Sequence, residues 1–104
     1  GPLDPSRPRW RQRAAAPSTD LAPAEAFARH RAQLAQGQER EALTGLTQLI
    51  KADHAVAEIL SEVQAYIGRK PASALAYRTL GDAQMKLGQL QEALASYRAA
   101  LERA

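Results

Sequence analysis

Residues 74–104 read ALAYRTLGDAQMKLGQLQEALASYRAALERA, and their spacing decides the fold. Tyr77, Leu80, Met85 and Leu87 recur at helical intervals, so much of one face of this segment is apolar. Gly88 follows, where a left-handed residue ends a helix at no steric cost. Ala93, Tyr97 and Ala100 continue the pattern on a second helix. Gly81 and Ala93 are small, which allows two antiparallel helices to approach closely. Tyr97 and Leu101 stand one turn apart and are expected to fill the gap between them.

Tyr77, Leu80 and Gly81 are spaced as W/Y-x2-L-G, and Ala93, Tyr97 and Ala100 as A-x3-F/Y-x2-A. This segment resembles a tetratricopeptide repeat (TPR), a helix–turn–helix unit of about 34 residues. The resemblance covers the last third of the chain closely. It departs from the family at Gln84, where a bulky aromatic is usual. A shift of about 34 residues brings up a degenerate second repeat at 40–73. Leu46 then takes the place of Leu80, Ile59 that of Ala93 and Val63 that of Tyr97, and Pro71 falls at the closing proline. Thr47 stands where Gly81 does, and nothing aromatic matches Tyr77. A rival register pairs Gly37, Ala42 and Leu46 with a helix beginning near Pro23. The second and third helices are favoured as the pair, which leaves the first as a cap or the remnant of an earlier unit. The resemblance implies an all-α fold, with antiparallel hairpins in a right-handed superhelix of about five helices.

Working outward, the pattern predicts a first helix from Pro23 to Ala35, capped by Asp20 and stopped at Gly37. A second runs from Glu39 to Lys51. Asp53 is expected to cap a third that carries Val56, Ile59, Leu60, Val63, Tyr66 and Ile67 and ends at Gly68 and Pro71. No segment alternates as a strand would. The expected core includes Leu46, Ile50, Ile59, Val63, Tyr77, Leu80, Ala93, Leu94 and Tyr97. The last helix also has a side away from the fourth. Leu94 and Leu101 are the residues expected to be left open there, where a homo-oligomer could form through the C-terminal helix.

The net charge of +3 lies at the start of the chain: residues 1–13 set four arginines against Asp4, leaving 10 basic and 10 acidic groups elsewhere. Five of the six prolines fall in residues 1–23. Residues 1–20 therefore read as a disordered, basic, proline-rich segment, and 21–104 as the helical domain. The leading Gly-Pro resembles the remnant of a cleaved expression tag. The stretch RPRWRQR has three readings. One is a solvated linker. Another is a nucleic-acid-binding arm with Trp10 stacked on a base. The third is the cytoplasmic flank of a membrane span lying upstream, where arginines and tryptophan are enriched. The last is preferred over the second. It would place the domain in the cytoplasm, at the inner face of a membrane.

With no cysteine, disulfides and thiolate chemistry are excluded. His30 and His54 lack metal-ligand spacing, no glycine-rich phosphate loop is present, and Ser61, Ser73 and Ser96 lack a nucleophile's setting. The expectation is no catalysis, no metal and no cofactor. The resemblance instead implies a protein or peptide partner, with nucleic acid disfavoured. Carried over position by position, it puts binding residues at Leu75, Arg78, Asp82, Met85 and Lys86. In the degenerate repeat it puts them at Glu41, Thr44, Gln48, Lys51 and Ala52. Relatives that clamp a chaperone's C-terminus use a Lys/Asn pair where this chain has Arg78 and Asp82, which argues against that ligand.

Overall fold

The computed structural model describes residues 21–104. It is all-helical, with five helices and no strand among the described residues. They are α1 (Pro23–Ala35), α2 (Glu39–Lys51), α3 (Val56–Arg69), α4 (Ala74–Lys86) and α5 (Leu90–Arg103). The expectations of disorder in 1–20 and of capping by Asp20 fall outside the described residues. Pro23 opens α1 in the first turn, where its missing N–H costs nothing.

Three of the four connections use one device. Gly37, Asp53 and Gly88 all take left-handed φ, at 81°, 62° and 80°. In each case the following amide donates five residues back: Gln38 to Gln33, His54 to Leu49 and Gln89 to Gln84. This is the Schellman closure, which satisfies carbonyls at a helix end. Asp53 therefore closes α2 and does not cap α3, as its sequence position suggested. The residue before α3 is Ala55, also left-handed at φ 54°, with no side-chain cap. Asp tolerates this region because its short side chain bonds locally; alanine has no such compensation. Gly68 is likewise not a terminator, since α3 runs on through Arg69 before Pro71. α4 has a side-chain cap: Ser73 Oγ accepts from the Ala76 amide at 3.1 Å.

α4 and α5 pack most closely, and α1 and α2 next. Both approaches pass over a glycine. A Cβ at Gly81 would stand 2.6 Å from the Tyr97 ring, and one at Gly45 would run into the ring of His30. α2 and α3 come together much less closely, although they were the favoured pair. No glycine faces a ring between them. Bulky, fully buried Leu43, Leu46, Ile59 and Val63 hold that part of the core instead. Tyr66 bridges them by donating its hydroxyl to Glu39 Oε1. α4 then lies against both α2 and α3, burying Ala76, Thr79, Leu80 and Ala83.

Of the expected core, Leu46, Ile50, Ile59, Val63, Leu80 and Ala93 are buried. Tyr77 and Tyr97 are half-buried, and Leu94 is 58% exposed. Tyr77 is roofed by the Arg103 guanidinium 4.3 Å from its ring centroid, held there by the carbonyls of Pro71 and Ala99. Leu101 does not fill the α4–α5 gap, because it is 77% exposed.

The strain at Ala55 gives a test. Relieving a left-handed alanine gains about 1–2 kcal/mol, and glycine's extra backbone entropy takes back about 0.5–1 kcal/mol. Ala55→Gly should therefore raise unfolding stability by about 0.5–1 kcal/mol in urea titrations. A loss of stability would mean that this turn is not strained.

Candidate binding groove between the second and fourth helices

The α2 positions Thr44, Gln48 and Lys51 fall one or two turns apart and form one exposed stripe. The α4 positions Leu75, Arg78 and Asp82 repeat that spacing. Because α4 lies along α2, the two stripes face the same hollow, of about 300 Å³. Its residues are Thr44, Thr47, Gln48, Lys51, Leu75, Arg78, Thr79 and Asp82. Six of the ten residues carried over from the repeat resemblance thus converge here. Glu41, Ala52, Met85 and Lys86 do not; all four are exposed outside it.

Thr47 and Thr79 join the site without having been anticipated. Thr79 is only 1% exposed. Each hydroxyl lies within donating reach of its own helix, Thr47 to the Leu43 carbonyl at 2.8 Å and Thr79 to the Leu75 carbonyl at 3.0 Å. The two oxygens also approach each other to 3.3 Å. They satisfy their hydrogen-bonding needs within the fold. A sequence signal existed: Thr47 follows Thr44 by three residues and Thr79 follows Leu75 by four, so each extends the same helix face.

The rim carries two cations, Lys51 and Arg78, both exposed. Asp82 is half-buried and accepts the Tyr97 hydroxyl at 2.6 Å. That bond anchors the α4 wall to α5. Nearby, Gln84 occupies the site of the missing aromatic. It is 5% exposed, and Ser96 donates to its Oε1 at 2.5 Å. A buried polar pair replaces an aromatic contact, and both members are satisfied.

The two histidines stand apart. His30 lies over Gly45 with Nδ1 2.7 Å from Gln33 Oε1, and His54 is exposed in the α2–α3 turn. No group of three metal-capable side chains occurs among the described residues, and none of their helices is long and apolar enough to cross a membrane. Neither family models, curated proteins nor solved structures match the chain.

Burial, a bond to a carboxylate and that carboxylate's charge push Tyr97 up from 10.0 to about 12. The same causes, in the same order, raise Tyr66 to about 12 beside Glu39. The folded state thus holds these protons more tightly than the unfolded chain does. The stability this brings is intact below pH 10 and is lost as pH rises through about 12. Urea unfolding between pH 8 and pH 12 should show a falling alkaline limb, shallower in the Tyr66→Phe, Tyr97→Phe double variant. An unchanged limb in that variant would place its cause elsewhere.

Proposed function

We propose that this chain is a non-catalytic protein-interaction module, TPR-like in its helical hairpins and right-handed superhelical sense, which takes a peptide segment along the α2–α4 groove. One observation carries the reading. Residues from two helices, singled out by repeat position alone, line one hollow. The rim chemistry specifies the ligand class. Lys51 and Arg78 favour a segment bearing carboxylates. Leu75, half-buried at the edge, suits an apolar side chain beside them. A scaffold or adaptor role follows, with no chemistry at the site. The basic, tryptophan-bearing start of the chain supports a cytoplasmic position at the inner face of a membrane, next to a span upstream.

The test is selection of binding sequences from a random peptide library on the purified chain, followed by fluorescence anisotropy of the selected peptides. Enriched peptides should be acidic. Arg78→Glu and Lys51→Glu should each weaken them by about tenfold or more, which is about 1.4 kcal/mol. Arg29→Glu, an equal charge reversal on exposed α1, should leave affinity unchanged. Equal losses in all three variants would reduce the effect to net charge and remove the groove from the account. A steep linear dependence of log affinity on log salt, with single-stranded DNA competing, would favour the nucleic-acid reading.

A further inference from the structure

Five of the six large hydrophobic side chains exposed among the described residues belong to α4, α5 and the turn between them: Met85, Leu87, Leu90, Leu94 and Leu101. Three of them, Leu90, Leu94 and Leu101, fall with Tyr97 at alternating spacings of four and three residues. That is the heptad interval of helices that pack along their length. Beside this stripe is a hollow of about 480 Å³ lined by Leu75, Arg78, Tyr97, Ala100, Leu101 and their neighbours.

The matching positions on α3 are covered. Thirty-four residues earlier, about one repeat length, Tyr97, Ala100 and Leu101 correspond to Val63, Tyr66 and Ile67 on α3. α3 packs on both α2 and α4, and Val63 and Tyr66 are 0% and 4% exposed, with Ile67 packed against the core. Among the described residues, no helix covers the corresponding face of α5. Leu101, the counterpart of Ile67, is 77% exposed.

We infer that a second copy of this chain covers this face, its α5 lying antiparallel against α5 across a two-fold axis. The stripe offers both halves of the contact, as a two-fold interface requires. No other helix among the described residues exposes a comparable row of leucines. With Leu90 set opposite Leu101 of the other copy, Leu94 falls opposite Tyr97. All three exposed leucines are then covered. Arg98, on the flank, comes beside Gln91 of the other copy, so like charges do not meet. The hollow beside the stripe shares Leu75 and Arg78 with the α2–α4 groove, but Leu90, Leu94 and Leu101 lie outside that groove, so variants at these leucines test the contact apart from peptide binding.

Two experiments on the whole chain test it. Sedimentation equilibrium should show a monomer–dimer equilibrium, with Leu94→Glu and Leu101→Glu each weakening dimerisation by at least about tenfold. Both positions are exposed, so circular dichroism should show undiminished helix in the variants. The chain has no cysteine, so introduced thiols report contacts without background. Leu90→Cys and Leu101→Cys proteins, mixed under mild oxidation, should form a mixed disulfide faster than either forms one alone. A strict monomer at hundreds of micromolar overturns the inference. So does a dimer indifferent to both glutamates, or one that cross-links 90 to 90 in preference to 90 to 101.

Discussion

The close approach of a ring to a bare backbone is the contact on which the rest of the structure depends. At Gly81 the Tyr97 ring lies where a side chain would begin, and at Gly45 the His30 ring does the same. Each contact draws two helices closer than ordinary side chains permit, and dispersion rewards the absence of a gap. At the α4–α5 pair this proximity has further consequences. It brings the Tyr97 hydroxyl to Asp82 and Ser96 to Gln84. These bonds fix the rotation of α5 about its axis. That rotation buries Ala93 and turns Leu90, Leu94 and Leu101 outward.

α4 is the element both proposals share. One face, Ala76, Thr79, Leu80 and Ala83, is sunk against α2 and α3. Small residues at 76, 79 and 83 let α4 settle low, which brings Thr79 to Thr47 at the floor of the groove. The opposite flank meets Tyr97 and borders the open end. A change that tilted α4 would alter the groove and the end surface together, even if no residue in either were touched. The Arg31–Glu62 pair, by contrast, links α1 to α3 at 2.9 Å across an exposed surface, where such pairs contribute little.

Much of the architecture was legible from residue spacing. Gly37 and Gly88 marked two helix ends because only a left-handed residue closes them cheaply. The apolar faces of α2 and α3 were plain from periodicity. The α2 terminus was misread because an aspartate does there what glycine does at the other two, and aspartate more often signals a helix start. Tyr77 was placed in the core because the sequence gives no hint that Arg103, twenty-six residues later, would roof its ring. The polar exchange of Gln84 with Ser96 was hidden for the same reason: it needs the pairing of two helices before its meaning appears. Most of the groove was readable by repeat position. Its threonine floor was passed over although spacing offered it, because mid-helix threonines that bond their own backbone look like filler in a linear reading.

The most direct test of the account is a double-mutant cycle at the α4–α5 contact, pairing Gly81→Ala with Tyr97→Ala and measuring unfolding free energies. With Tyr97 present, a methyl at 81 meets the ring and should cost on the order of 1–3 kcal/mol. With the ring removed, the same methyl should stabilise the helix by about 1 kcal/mol, alanine's advantage over glycine. The account predicts this change of sign, and hence a coupling of at least about 2 kcal/mol. Additive effects, with Gly81→Ala stabilising in both backgrounds, would contradict it: the ring would not be resting on the glycine, and the closeness of the two helices would need another cause.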